Sequence, residues 1–251
     1  MKEFERLVDL HRKGERQGPG GEAETKRALE LAQLDRSRPL KIADIGCGTG
    51  AATVVLAREL DAEITAVDLL PDFLEDLQSR AVDLGVADRI TTLNRSMEDL
   101  PFGEAEFDVI WSEGAVYNMG FEAGIAAWRR FLKPGGKLIV SEITWLTSER
   151  PPAIQAYWEQ AYREIDLASA KLGILEQHGF SPLAYFALPA HCWRENYYWP
   201  LRNRFGAFLD RHGHAPQATA IVEAEEQEIA LYEEYGVYYG YGVYVASRSE
   251  P

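Results

Sequence analysis

The sequence predicts an α/β fold: an open, doubly wound sheet, mostly parallel, with helices on both faces. Three observations carry this expectation. Short apolar runs alternate with helical patterns between Leu40 and Ile143, the first run ends in a turn on Gly46, Gly48 and Gly50, and the second ends in an acid, Asp68. Alternation of strand and helix is what a parallel sheet requires, because each connection must cross one of its faces.

Phe4, Leu7, Val8 and Leu10 give a short amphipathic helix, which KGERQGPGGEAET interrupts before a second helix at Glu22 to Leu34. Residues 1–38 therefore read as an N-terminal helical cap on a main domain of residues 39–251. The cap is either a surface appendage or a lid, and His11 is expected to be exposed and inert. Leu40 to Ile45 is apolar enough for a strand buried on both faces. Glycines are needed where backbone takes positive φ or lies against a ligand, so the turn that follows presents main chain. A helix over Ala51 to Leu60 then points its first N–H groups back at that turn, a site for an anion. Ala62 to Asp68 is the second strand, and Asp68 sits where a carboxylate can accept from the hydroxyls of a ribose. A nicotinamide dinucleotide satisfies these features too. Asp44, two residues before the first glycine, is placed to meet an ammonium group, which a dinucleotide lacks.

The later segments are SMEDLPF (Ser96 to Phe102), EFDVIWSEGAVYNMG (Glu106 to Gly120) and FLKPGGKLIVSE (Phe131 to Glu142). With IADIGCGTG, in this order and spacing, they resemble the class I S-adenosylmethionine-dependent methyltransferases over about residues 40 to 145. The resemblance implies a Rossmann-like seven-stranded sheet whose last strand is antiparallel, with S-adenosyl-L-methionine as cofactor and S-adenosyl-L-homocysteine as product. Asp44, Gly46, Gly48, Gly50, Asp68, Leu69, Ser96, Met97 and Glu113 are the cofactor-binding residues it implies. Many relatives carry Asp where Ser96 stands, and a serine hydroxyl accepts from an adenine amine more weakly.

Pro71 to Leu84 is a covering helix, Arg89 to Asn94 the third strand and Phe107 to Ser112 the fourth. Ligands of open α/β sheets lie beyond the carboxyl ends of the strands, so Glu113, Tyr117 and Asn118 are expected to face the reaction. Glu113 and Tyr117 are candidates for substrate contact, Glu113 also for a general base. Gly124 to Leu132 is a further helix, Pro134 to Gly136 a turn, and Lys137 to Ile143 the fifth strand, followed by Trp145.

Past Thr147 the chain leaves the shared framework. Helices are expected at Ile154 to Ile165 and Ala168 to His178, and strands at Phe180 to Leu188 and Tyr238 to Ser247. Residues 189–237 between those strands form an insertion on the substrate side. Its cluster of His191, Trp193, Tyr197, Tyr198 and Trp199 suits ligand contact, a small core or a dimer interface, and a homodimer is one expectation. His191 is a third candidate catalytic residue. No CxxC or HxxxH spacing accompanies His191 and Cys192, so no metal is expected. Glu223, Glu225, Glu226 and Glu228 read as a solvated helix face.

A chain of 251 residues with 46% apolar content supports one large domain. Its formal net charge of −14 argues against nucleic acid and anionic membranes as partners. Two cysteines and the lack of a long apolar run point to a cytoplasmic protein. The function expected is methyl transfer to a small-molecule acceptor by in-line displacement. An NAD(P)-dependent oxidoreductase and a non-catalytic S-adenosylmethionine-binding protein are the alternatives.

Overall fold

The computed structural model describes residues 3–249. Its centre is β1 (Leu40–Ile45), which pairs in parallel with β2 (Ala62–Asp68) on one side and β4 (Phe107–Glu113) on the other. Beyond these lie β3 (Ile90–Asn94) against β2 and β5 (Leu132–Trp145) against β4, again parallel. β8 (Tyr239–Arg248) runs antiparallel between β5 and β7 (Phe180–Ala187). The order β3-β2-β1-β4-β5-β8-β7 therefore reverses direction of growth between β1 and β4, and ligand crevices open at that switch point.

The pattern explains why these runs are strands. Ile42, Ala43 and Ile45 of β1 and Val109, Ile110 and Trp111 of β4 are fully buried, as expected of strands covered on both faces. Covering helices are α3 (Ala51–Glu59), α4 (Pro71–Asp83), α5 (Phe121–Trp128) and α7 (Ala168–Gln177). Among the described residues no helix is long and apolar enough to cross a membrane.

Four departures from the sequence reading have local causes. An eighth strand, β6 (Asp166–Leu167), is two residues long and pairs with the end of β5. The Pro134–Gly136 turn lies inside β5: Phe107 pairs with Leu132 and Val109 with Lys137, so the extra residues bulge outward at Gly135, where φ is +73°. The helix placed at Gly124 to Leu132 begins earlier, at Phe121, and gives way to a 3₁₀ turn over Arg129–Phe131. The helix α6 (Pro152–Ala161) stops before Tyr162, because Glu164 leaves the helical path to accept from the Phe121 N–H at 2.7 Å, while Lys171 Nζ donates to its carbonyl at 2.8 Å.

α1 (Glu3–Arg12) and α2 (Glu22–Leu31) contribute Leu10, Ala28 and Leu29 to the same buried cluster as Ile42 and Val109. The 189–237 segment folds into α8 (Ala190–Trp193), a π-helical turn at Arg194–Tyr198, α9 (Trp199–Arg211) and α10 (Pro216–Tyr235). Arg202 of α9 pairs with Glu226 and Glu233 of α10, so the two helices fold back on each other.

Candidate active site

A cavity of about 600 Å³ opens at the carboxyl ends of β1, β2 and β4, within the size range of small-molecule sites. Its floor is the turn after β1. Gly46 and Gly48 have φ of +76° and +56°, and both line the cavity. A Cβ on Gly46 would lie 2.3 Å from the Ala115 Cβ, so the turn and the end of β4 close on each other only without a side chain there.

Asp68 forms the next part of the floor. Its Oδ2 accepts from the Gly48 N–H and its Oδ1 from the Leu70 N–H, both at 2.9 Å. Two backbone donors fix the carboxylate plane while each oxygen keeps a lone pair for a further donor. Burial raises the Asp68 pKa against the pull of those backbone bonds. Asp44 lies deeper. It accepts from Thr53 Oγ1 at 2.6 Å, and burial, joined by the nearby charges of Glu113 and Asp68, pushes its pKa up to about 7.

Glu113 ends β4 on the cavity wall with its carboxylate engaged three times. Arg16 Nη1 donates to Oε2 at 2.9 Å, and Thr25 Oγ1 and Trp111 Nε1 donate to Oε1 at 2.8 and 3.0 Å. These contacts hold residues 13–21 across the mouth of the glycine turn. Gln17 completes the strap, accepting from the Thr49 N–H at 2.9 Å and donating to Thr49 Oγ1 at 3.0 Å.

The methyltransferase domain family matches residues 42–136, from inside β1 to the bulge of β5. Over that stretch the chain is similar to S-adenosylmethionine-dependent methyltransferases. It is 34% identical over 119 residues to a malonyl-[acyl-carrier protein] O-methyltransferase of Herminiimonas arsenicoxydans, covering 47% of this chain and 43% of that one. It is 34% identical over 135 residues to the uncharacterized methyltransferase YodH of Bacillus subtilis, covering 54% and 55%. The chain thus spans about half the length of the curated relatives it matches. A solved S-adenosylmethionine-dependent methyltransferase from Geobacter sulfurreducens, in complex with S-adenosyl-L-homocysteine, shares the fold with a TM-score of 0.84. The two are 18% identical, over 96% of this chain and 97% of that one.

The other expected cofactor residues divide by position. Leu69, Ser96 and Met97 line the cavity beside Asp68, with the Met97 carbonyl accepting from Trp128 Nε1 at 3.2 Å. Gly50 does not line it: its φ is +81°, and a Cβ there would lie 2.1 Å from Leu77 Cδ1, so this glycine admits α4 rather than a ligand. Tyr117 and Asn118 line the wall above Glu113, and the Tyr117 ring stands edge-on to Tyr162 at 6.3 Å.

The roof comes from the two segments outside the matched stretch. Phe4, Leu7, Val8 and His11 of α1 and Tyr197 of the π-helical turn line the cavity. His11 is not exposed: its Nε2 lies 3.0 Å from Glu225 Oε1 and its ring stacks on Tyr197 at 6.3 Å. The acidic face of α10 is accordingly not one solvated stripe. Glu225 meets His11, Glu226 meets Arg202 and Glu228 accepts from the Tyr198 hydroxyl at 3.0 Å, leaving Glu223 exposed.

His191 lies outside the cavity, 3.2 Å from Glu24 Oε1. Together with Cys192 these bring three donor atoms within 4.8 Å of one another, which sequence spacing did not reveal because Glu24 comes from α2. Burial, helped by Glu24, raises the Cys192 pKa, keeping it a neutral thiol, and the His191–Glu24 contact ties α2 to α8. Trp193 is also structural, stacked between Tyr232 at 4.4 Å and Tyr241 at 5.3 Å, while Trp199 points to solvent. Sequence reasoning missed Arg16 and Gln17. Their signal was the run Arg16 to Gly21, in which Gly20 leaves room for the Arg16 guanidinium, a Cβ there lying 2.6 Å from Nη1.

Proposed function

We propose that this protein transfers a methyl group from S-adenosyl-L-methionine to a small-molecule acceptor. The observation that carries the reading is that the glycine turn, Asp68 and an apolar and aromatic roof line one cavity. Asp68 would hold the ribose, Leu69, Ser96 and Met97 the adenine, and Asp44 with the Gly46 to Gly48 turn the amino-acid tail. The cofactor supplies an electrophilic methyl on a positively charged sulfur. The task of the chain is to hold the acceptor in line with that methyl and to keep water out. Phe4, Leu7 and Val8 serve the second role, being apolar groups on the cavity wall.

Glu113 has a different part in this reading from that of a base. Three donors already occupy its carboxylate, so it anchors the strap through Arg16. The polar groups left for an acceptor are Tyr117, His11 and Tyr197 on the roof side. His191 faces Glu24 and takes no part. A net charge of −14 weighs against a nucleic acid acceptor. The test is incubation with methyl-labelled cofactor and a fractionated metabolite extract, followed by mass spectrometry of the labelled product. Label in one low-mass compound is the expected result. Retention of S-adenosyl-L-homocysteine with no label moved to any fraction would favour a non-catalytic binding protein.

A further inference from the structure

We infer that Glu24, His191 and Cys192 form a site for one divalent cation of the zinc class, which clasps the N-terminal cap to the 189–237 segment. Their ligand atoms lie within 4.8 Å of one another, and among the described residues they are the one such group of three His, Cys, Asp or Glu side chains. An imidazole, a thiolate and a carboxylate are ligands that zinc takes, and three of them leave a fourth position for water. Ligand atoms about 2.0–2.3 Å from a tetrahedral ion stand roughly 3–4 Å apart. His191 Nε2 and Glu24 Oε1 already have that spacing, at 3.2 Å.

Glu24 carries the second observation. Its side chain is 12% exposed, and its Oε2 is buried with no N–H or O–H donor on it among the described residues. A carboxylate oxygen held out of water without a partner is costly, and a cation answers that cost. The chain makes room for this oxygen at Gly21, where a Cβ would come within 2.1 Å of it. The Gly21 backbone is extended, so close approach and not conformation asks for the glycine. Cys192 is fully buried, while His191 is 43% exposed and gives a cation its way in from solvent. On binding, the Cys192 thiol releases its proton to solvent, so thiolate and carboxylate together offset the charge of the ion and the imidazole stays neutral. The two segments already meet here. The Gly20 N–H donates to the Cys192 carbonyl at 3.4 Å, and Asn196 Nδ2 to the Gly20 carbonyl at 2.8 Å. All three ligands lie outside residues 42–136 and none lines the large cavity. The site is therefore structural, holding the two segments of the roof together, and stands independently of the methyl-transfer reading.

The experiment takes the full, untagged chain, strips it of metal with a chelator and titrates it with Zn²⁺ or Co²⁺. One equivalent of Zn²⁺ should stay bound through dialysis against metal-free buffer, and the melting temperature should rise with it. Co²⁺ should develop thiolate-to-metal charge-transfer absorption, which Cys192→Ala should abolish. His191→Ala should bind Zn²⁺ at least roughly 100-fold more weakly, since loss of a direct ligand costs no less than loss of an outer-shell partner. Glu24→Gln should weaken binding likewise. The His191 position is exposed, so this variant decides the matter if the substitution at the buried Cys192 does not fold. A wild type that retains no Zn²⁺ overturns the inference, as does a Co²⁺ spectrum without thiolate charge transfer. A His191→Ala chain that binds Zn²⁺ as tightly as wild type holds the ion elsewhere and overturns it too.

Discussion

The floor of the cavity is set by main chain and its roof by side chains. On the floor, Asp68 is oriented by the N–H groups of Gly48 and Leu70, and Gly46 touches Ala115 where any Cβ would collide. On the roof, His11 meets Glu225 and Tyr198 meets Glu228, each contact joining segments far apart in sequence. Backbone contacts demand particular residues at fixed spacing, so a floor of this kind recurs with a recognisable pattern. Side-chain contacts are satisfied by many residue pairs, and they can part and re-form as a ligand enters. On the proposed function, the difference separates a fixed seat for the nucleoside from an adaptable chamber for the acceptor.

Trp193→Ala offers the harshest way to break the comparison. Trp193 packs between Tyr232 of α10 and Tyr241 of β8, in the same buried cluster as Ile42 and Val109, and its loss should cost about 3–5 kcal/mol of folding stability, measured by denaturant unfolding. A small loss would mean that the 189–237 segment packs only loosely on the sheet. Asp68→Ala strikes the floor instead. Affinity for S-adenosyl-L-homocysteine should drop by roughly 100-fold, the scale of charged hydrogen bonds left unmade, with stability changed far less. If the roof rather than the floor held the nucleoside, binding would survive.

Asp44→Asn sharpens the view of the floor through pH. The Asp44 pKa is raised from 3.8 to about 7, so the native state binds the extra proton between those values. Its contribution to stability is therefore present below pH 4 and is lost as pH rises through 7. The asparagine variant should equal or exceed the wild type in stability at pH 8, by on the order of 1–3 kcal/mol, while binding the cofactor more weakly. Thermal melts at pH 5 and pH 8 check the sign, and a variant less stable at pH 8 would contradict it. The smallest effect belongs to Trp199→Ala. That ring is exposed, and both stability and turnover should stay within about 0.5 kcal/mol of wild type.

The parts of the molecule that were legible in the sequence follow the same division. The strands β1, β2 and β4, the turn of Gly46 and Gly48, and Asp68 were visible because periodicity and positive φ impose residue types directly. The β5 bulge was not, since Pro134 to Gly136 has the composition of a turn whether or not the strand continues through it. His11 and Glu225, 214 positions apart, could not be paired without the fold that brings α1 to α10. The aromatics of residues 193–199 divide by burial, Trp193 inward and Trp199 outward, which density in the sequence does not distinguish.

The central claim is that a nucleoside with an amino-acid tail rests on the turn at Gly46 to Gly48 with its sugar on Asp68. The most direct test is a crystal structure of the protein with S-adenosyl-L-homocysteine bound. The account predicts both ribose hydroxyls within hydrogen-bond distance of the Asp68 carboxylate and the tail beside Asp44 and the Gly46 to Gly48 turn. A nucleoside bound elsewhere, or turned so that Asp68 meets no sugar hydroxyl, would contradict it.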